Sequence, residues 1–261
     1  MDIKNIKKAA SILYKARLNL KRIEKLPFEC TPKNKKEAYE IQEDLINNYK
    51  IDKIIGTKIG CTNKAAQKQI NINEPFYGNI LKNYSSKSKC ILKSKDFFKP
   101  FIEPEFSFKI KKNISIYNKK FSIKNINKYI DYILPSIEVV DSRFNDWKKI
   151  GINNLIADNG VNAYWIYGKK TKNLSIFNLN NHIVKLYINN KLLEIGNSKN
   201  VLKNPLNSIV WLLNYLSKQG KNFLSESFIS TGTCTPAIPI KKGDIIVADF
   251  GKLGKIEVNY I

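Results

Sequence analysis

Hydrophobic residues in the first fifty positions recur every three or four residues, which is the period of an amphipathic helix. A first apolar stripe comprises Ile6, Ala10, Leu13, Ala16 and Leu20. A second stripe follows Thr31 and Pro32, where threonine is predicted to cap a helix and proline to occupy its first turn. This second stripe comprises Ala38, Ile41, Leu45 and Tyr49. The pattern predicts two helices before residue 54.

From Ile54 onward the apolar runs are short, rich in β-branched and aromatic residues, and bounded by Gly, Asn or Pro, which is typical of strands. The predicted strands are residues 54–59, 101–110, 132–140, 163–167, 182–188, 228–231 and 244–250. One late helix is predicted to begin at Asn204-Pro205 and to end at Gly220, and the polar segment 82–99 is expected to be a loop. These elements predict an α+β fold with a helical N-terminal region, residues 1–53, and one catalytic unit, residues 54–261.

The net charge of +23 is the feature that most suggests a nucleic-acid-binding module. Arginine, the residue that forks onto phosphate and guanine, occurs only at Arg17, Arg22 and Arg143, and the lysines are spread along the whole chain. Compositional bias explains this distribution, so we expect no specific nucleic-acid partner. A rival binding module would predict steeply salt-dependent retention on DNA or RNA.

Apolar segments are too short for the ~20-residue run that a membrane-spanning helix requires, and the N-terminus lacks the apolar stretch of a signal peptide. Four scattered cysteines fit reduced thiols rather than a disulfide framework. We therefore expect a soluble, cytoplasmic protein without a membrane partner. His182 is the only histidine, which excludes any mechanism that needs two.

Two glutamates stand on one face of the predicted strand 101–110. A period of two sends Glu103 and Glu105 to one side and the apolar residues to the other. A solvated acidic face is the simpler interpretation. Pro104, which cannot donate to a ladder, instead favours an edge strand or a bulge, and bulges often lie beside active sites.

Glu138 lies within a nearly apolar run, where both faces of the strand are predicted to be buried. A buried carboxylate costs several kcal/mol unless it is paired, protonated or metal-bound. An ion pair with Arg143 or a nearby lysine is one solution. Convergence with Glu103 and Glu105 on a hard cation is the other, and three oxygen ligands suit Mg²⁺ or Mn²⁺.

Lys58 lies inside the first predicted strand, where it either reaches the surface or faces an anion. If Lys58 faces the glutamates, it can bind a substrate carboxylate or act as an acid or base. Asn159-Gly160 reads as a turn. The segment 230–236 offers hydroxyls and backbone N–H groups around Gly232, the composition of a small-anion site or of an ordinary loop.

These pieces together resemble a known family, the 2-keto-4-pentenoate hydratases and 4-oxalocrotonate decarboxylases of the fumarylacetoacetate hydrolase superfamily. The resemblance runs from about Ala38 to the C-terminus. The motifs that carry it, in this order, are Lys58-Ile-Gly-x-Thr62, Glu74-Pro-x-x-Gly78, Ile102-Glu-Pro-Glu105, Leu134-Pro-Ser-Ile-Glu-Val-Val-Asp-Ser-Arg143 with Asp146-Trp147, Ala157-Asp-Asn-Gly160, Asn204-Pro-Leu-Asn207, Thr231-Gly-Thr233, and Lys242-Gly-Asp244 followed by Ala248-Asp-Phe-Gly-x-Leu-Gly254. Two positions depart from the family's pattern, since Cys61 replaces an aliphatic residue and Gly160-Val161 replaces small or hydroxyl residues.

The resemblance implies a mixed, rolled β-sheet and a homo-oligomer. It implies a Mg²⁺ or Mn²⁺ ion held by Glu103, Glu105 and Glu138, with Lys58 as the catalytic residue at the substrate. Thr233, together with Asp158 and Asn159, is expected to line the substrate pocket. The implied enzyme is a lyase of small 2-oxo or 2-hydroxydienoic acids from the degradation of aromatic compounds.

Hydration of 2-hydroxypenta-2,4-dienoate-type acids to 4-hydroxy-2-oxo acids is the predicted reaction. Decarboxylation of 2-oxo-3-hexenedioate-type acids on the same metal site is the alternative. Two further hypotheses stay open: a metal-free enzyme in which Lys58 forms a Schiff base, and a family member without catalytic activity that binds metal but turns over no dienoate.

Overall fold

The computed structural model describes residues 1–49, 53–111, 114–172, 178–221 and 227–261. The α-helices among these residues are α1 (Ile3–Leu18), α2 (Lys35–Asn48), α3 (Lys64–Gln69), α4 (Ile123–Ile126), α5 (Ile152–Ala157) and α6 (Pro205–Lys218). The strands are β1 (Ile54–Gly60), β2 (Phe76–Leu81), β3 (Ser85–Lys87), β4 (Cys90–Leu92), β5 (Phe101–Ile110), β6 (Ile130–Val140), β7 (Asn162–Tyr167), β8 (Ile183–Ile188), β9 (Lys191–Asn197), β10 (Phe228–Thr233), β11 (Ile238–Pro239), β12 (Asp244–Asp249) and β13 (Lys255–Tyr260).

Two mixed sheets form the body of the protein. The larger sheet has the order β2-β1-β10-β5-β6-β7-β3, and β11 pairs with β5 beside this path. The smaller sheet has the order β4-β13-β12-β8-β9. Helix α6 packs against β10, and the principal hydrophobic core joins the inner faces of both sheets to this helix. The predicted α+β architecture around a mixed sheet is confirmed.

Strand β5 has the predicted bounds and the predicted faces. Ile102, Phe106 and Phe108 are buried in the core, so Glu103 and Glu105 lie on the opposite face. The expectation of an edge strand is wrong, because β5 lies between β10 and β6.

The expected bulge is present, but on the partner strand β10. Its pairing with β5 shifts between Ser230 and Thr233, with one extra residue on β10. Pro104 turns its carbonyl toward this irregularity and accepts a 2.9 Å hydrogen bond from the Cys234 backbone N–H. Because the N and O of one strand residue point the same way, the missing N–H of Pro104 faces a place where the ladder is already interrupted.

Helices α1 and α2 pack against each other and share a hydrophobic cluster with Phe144 and Ala157. The helical N-terminal region is therefore joined to the segment between β6 and β7 rather than set apart. Helix α2 begins later than predicted. Its N-cap is Asn34, whose side chain accepts a 3.0 Å hydrogen bond from the Glu37 backbone N–H, and not Thr31.

Of three smaller predictions, one is confirmed and two differ from the structure. Helix α6 follows Asn204 and is ended by Gly220, which has a φ of +67°, as predicted. The segment 82–99 contains the short strands β3 and β4 rather than loop alone. Asn159 and Gly160 form a single helical turn between α5 and β7, and not a hairpin. No helix in the described part of the chain combines the length and apolar character needed to cross a membrane.

Candidate metal centre and substrate cavity

Three carboxylates converge between strands β5 and β6. Glu103 is the direct cross-strand partner of Glu138, and Glu105 pairs with Ser136 two positions along. One carboxylate oxygen from each of Glu103, Glu105 and Glu138 lies within 4.8 Å of the others. Antiparallel partners place their side chains on the same face of a sheet, so the register alone brings the three groups together.

Two of these carboxylates are buried away from water and are only partly hydrogen-bonded. Glu105 and Glu138 have no exposed surface. Glu105 Oε1 and Glu138 Oε2 are buried without a hydrogen-bond partner among the described residues. Burial, and next the charge of Glu138, raises the pKa of Glu103 to about 7, and the same two causes raise the pKa of Glu105 well above its usual range. Partnerless carboxylate oxygens in a dry site are the donor set that a hard divalent cation requires.

Lys58 supplies one positive charge to the cluster. Its Nζ lies 3.4 Å from Glu138 Oε1, and its side chain is 2% exposed. The ammonium also lies 5.2 Å from the centroid of the Phe76 ring. Strand β10 lies between β1 and β5, and its Ser230 is the register partner of Lys58. Lys58 is therefore the partner that the buried Glu138 needs, whereas Arg143 pairs elsewhere.

A hydrogen-bonded group of serine hydroxyls contacts the Glu105 carboxylate. Ser230 donates a short hydrogen bond to Glu105 Oε2. The Ser107 hydroxyl donates to Ser230 Oγ at 2.8 Å and lies 2.7 Å from Ser136 Oγ. The sequence pattern singled out Ser230 only as one hydroxyl of the segment 230–236 and did not predict this hydrogen-bonded group of serines. The alternation of β5 placed Ser107 on the face of Glu105, but Ser230 and Ser136 reach the site only through strand pairing.

A cavity of about 900 Å³ opens onto this cluster. Lys58, Glu103 and Thr233 line it, as do the two residues that depart from the family pattern, Cys61 and Val161. Thr233 Oγ1 donates to the Thr235 carbonyl at 2.8 Å. Five lysines also line the cavity, all of them exposed and without a carboxylate partner among the described residues. They are Lys64, Lys99, Lys148, Lys199 and Lys203.

Asp158 and Asn159 do not line this cavity, whereas Lys58 and Thr233, the other residues predicted to bind substrate, do. Asp158 is fully buried and forms an ion pair with Arg143, whose backbone N–H also donates to Asp158 Oδ2 at 3.0 Å. Asn159 bonds the backbone of Asn79 on β2 through both ends of its amide, at 2.7 and 2.9 Å. The structure thus gives both side chains a structural role in holding the loop that carries Gly160 and Val161.

The histidine is not part of the site. His182 Nε2 lies 2.7 Å from the Phe250 carbonyl, and its ring packs at 5.5 Å from that of Phe106 on the core face of β5. It is absent from the lining of the cavity. Among the residues that line the cavity, Lys58 is the buried cationic side chain.

The chain is similar to known lyases over nearly its whole length, although no protein-family model matches it. The 4-oxalocrotonate decarboxylase of Pseudomonas sp. (strain CF600) is 27% identical over 227 residues, which cover 86% of this chain and 85% of that protein. The 2-keto-4-pentenoate hydratase of Paraburkholderia phymatum is 26% identical over 263 residues, covering 99% and 98%. Among solved structures, 4-oxalocrotonate decarboxylase from Pseudomonas putida G7, complexed with magnesium and adipate, has a TM-score of 0.93 and 26% identity, covering 100% of this chain and 99% of that chain.

Proposed function

We propose, from the similarity of the chain to 4-oxalocrotonate decarboxylases and 2-keto-4-pentenoate hydratases, that it belongs to their family and is a divalent-metal-dependent hydratase. Its substrates are 2-hydroxypenta-2,4-dienoate-type 2-oxo acids from the degradation of aromatic compounds, and its products are 4-hydroxy-2-oxo acids. The observation that carries the proposal is the cluster of three glutamates with two partnerless buried oxygens, beside a buried lysine and a large cavity.

Glu103, Glu105 and Glu138 hold the Mg²⁺ or Mn²⁺ ion. All-oxygen donors of this kind suit these hard cations rather than zinc. When bound, the ion supplies a Lewis acid that draws electron density from the 2-oxygen and carboxylate of the substrate. Ser230 and Asn162, which donate to Glu105 and Glu138 respectively, would orient these carboxylates for a bound cation.

Lys58 holds or moves the proton. In hydration the proton of the substrate 2-hydroxyl leaves its oxygen, carbon 5 gains a proton, and the elements of water are added as H on carbon 3 and OH on carbon 4. Lys58 lines the cavity next to Glu138 and is the residue placed to relay the first proton or to hold the substrate carboxylate. Thr233 lies on the same wall, and we propose that it contacts the substrate.

Decarboxylation of a 2-oxo-3-hexenedioate-type acid is the second candidate. The five exposed lysines that line the cavity, which have no carboxylate partner in the described part of the chain, favour it, because their positive charge suits a second carboxylate. In that reaction the distal carboxylate leaves as CO₂ and its electron pair passes into the conjugated 2-oxo system, which gives a dienolate; a proton added to the 2-oxygen then gives the dienol.

Further features follow from the same family membership. We propose residues 54–261 as the catalytic unit and residues 1–53 as a helical region attached to it. A cytoplasmic location fits the four free cysteines of the chain. A homo-oligomer is supported by exposed apolar residues of the smaller sheet and its edge strand, such as Ile195 and Ile245, which are 59% and 52% exposed.

Substitution of Glu138 by glutamine tests the proposal, since the amide keeps the shape of the side chain but removes its charge. We expect Glu138→Gln to lose Mg²⁺ binding in isothermal titration calorimetry and to lose turnover. Glu43→Gln, on the exposed face of α2, is the control and should behave as wild type. Wild-type Mg²⁺ binding by Glu138→Gln would refute the metal site.

Product analysis separates the two reactions. Purified protein with Mg²⁺ is given 2-hydroxypenta-2,4-dienoate or 2-oxo-3-hexenedioate, and loss of dienol absorbance and release of CO₂ are followed. Hydration consumes the first substrate without CO₂, whereas decarboxylation releases CO₂ from the second. Turnover that persists in EDTA, with an imine trapped by borohydride, would replace both by a Schiff-base mechanism at Lys58.

A further inference from the structure

All three arginines of the chain meet at one junction, although the chain contains 45 basic residues. Arg17 and Arg22 come from α1 and the segment after it, and Arg143 follows β6. Each donates to backbone carbonyls in the segments that leave β6 or enter β7. A guanidinium presents several donors in one rigid plane, which a lysine cannot reproduce, so arginine suits a position where several carbonyls must be held at once.

Arg17 forms hydrogen bonds with the backbone of the first two residues of β7. It donates to the carbonyl of Asn162 at 3.2 Å and to that of Ala163 at 2.5 Å. Its guanidinium stacks over the Tyr84 ring at 4.4 Å, which fixes its plane. Arg143 donates to the same Asn162 carbonyl at 3.1 Å, so this carbonyl accepts from two guanidinium groups.

The sheet by itself does not fix Asn162 firmly. Asn162 pairs with Val140, and the register between β6 and β7 shifts between Val139 and Val140. A shift of this kind interrupts the ladder and leaves backbone groups unpaired. The two arginines supply the donors that the interrupted ladder lacks.

The side chain of Asn162 faces the metal ligands. Its Nδ2 donates to Glu138 Oε1 at 2.8 Å, the oxygen that Lys58 also approaches. The other oxygen of Glu138 has no partner among the described residues, so Asn162 and Lys58 together orient that carboxylate, and Asn162 makes the shorter contact. Outer groups that orient a ligand commonly change metal affinity by about 10–100-fold.

We propose that Arg17 of the N-terminal helix is a positioning residue for the metal site: it fixes Asn162, which orients Glu138 and so sets the affinity for the divalent cation. The inference rests on the metal site proposed above. It makes the helical N-terminal region a determinant of metal binding, although none of its residues is a ligand.

Arg22 offers a matched control within the same junction. It donates to the Ser142 carbonyl at 3.2 Å and to Asp141 Oδ1 at 3.3 Å, and it stacks over the Phe98 ring at 5.1 Å. It resembles Arg17 in charge, stacking and contact with the body of the protein, but it does not bond Asn162. Asp141 also accepts from two backbone N–H groups, so it stays in place when Arg22 is changed.

The experiment measures Mg²⁺ affinity by isothermal titration calorimetry in Arg17→Lys, Arg22→Lys, Asn162→Ala and the double variant Arg17→Lys/Asn162→Ala. We expect Asn162→Ala to bind Mg²⁺ at least about tenfold more weakly than wild type and Arg17→Lys about three- to tenfold more weakly. Arg22→Lys should stay within about twofold. The double variant should bind no more weakly than Asn162→Ala alone, because coupled residues are not additive.

A purely structural role gives a different result. It lowers the melting temperature of both arginine variants without moving the Mg²⁺ affinity, whereas a positioning role lets kcat of Arg17→Lys recover at saturating Mg²⁺. Equal Mg²⁺ affinities of Arg17→Lys and Arg22→Lys, or additive losses in the double variant, would overturn the inference. A wild-type protein that binds no Mg²⁺ would overturn the proposed function itself, and this outcome is distinguishable from the first two.

Discussion

Replacing Gly160 by alanine is expected to impair turnover far more than it impairs folding. A Cβ added at this position would lie 2.8 Å from Lys58 Cε and 3.1 Å from Lys58 Nζ. Both distances are below normal van der Waals contact, so the lysine must move away from its place between Glu138 and Phe76. A displacement of about 1 Å at a reacting group lowers the rate by roughly 100-fold.

The backbone strain of this substitution has to be separated from the contact with Lys58. Gly160 has a φ of +60°, and a left-handed conformation costs alanine about 1–2 kcal/mol. Gly251 has a φ of +56° and nothing within 4 Å of an added Cβ. Gly251→Ala therefore carries the same strain without touching the site, which makes it the matched control.

Both variants are expected to melt a few degrees below wild type, since about 1 kcal/mol shifts the melting temperature of a chain of this size by roughly 2–4 °C. Gly160→Ala should in addition lose about 10- to 100-fold in kcat at saturating Mg²⁺, measured as loss of dienol absorbance. Gly251→Ala should keep the wild-type kcat. If the two variants had the same kcat, the placement of Lys58 by Gly160 would be refuted.

Two further predictions concern protons and strain. The raised pKa values of Glu103, at about 7, and of Glu105 mean that the metal-free folded protein holds protons that the unfolded chain releases. Its free energy of unfolding should therefore fall as pH rises through 7 while Mg²⁺ affinity rises, and calorimetry that finds an affinity independent of pH between about 6 and 8 would contradict this. Val161 lines the cavity with a φ of +59°, which strains a β-branched residue. The free energy of unfolding of Val161→Gly should lie within about 1 kcal/mol of the wild-type value, because relief of strain offsets the flexibility of glycine. Its kcat/KM should shift toward bulkier dienoates. A loss of several kcal/mol in urea denaturation would argue against strain at this position.

The sequence singled out the three glutamates that the structure brings together, because local rules apply to each of them. Strict alternation around Pro104 assigned Glu103 and Glu105 to one face, and the apolar surroundings of Glu138 required a partner for its charge. The structure brings the three together by the register of β5 and β6. That register is not a local property, so the sequence pattern left convergence of Glu138 with the other two as one of two solutions, and the family resemblance favoured it.

The side-chain positions of Asp158, Asn159 and Ser230 could not be predicted from their neighbours in the sequence. Asp158 and Asn159 belong to the same motif as Gly160, but a helical turn points their side chains away from the cavity, toward Arg143 and Asn79. Ser230 reaches the Glu105 carboxylate because β10 pairs with β5, although more than a hundred residues separate the two strands in the sequence. Long-range pairing, rather than composition, decides such contacts.

The buried ammonium of Lys58 beside Glu138 also bears on how the protein matures in a cell. Three carboxylates in a dry site would repel one another, but one internal positive charge and the protons retained on Glu103 and Glu105 offset that repulsion. A newly synthesised chain can therefore close its sheets before any ion arrives, unlike small domains that fold only around their metal. A divalent ion that binds there would enter a finished cavity and displace protons, so we expect loading to follow the free cation concentration and the pH of the compartment rather than the timing of synthesis.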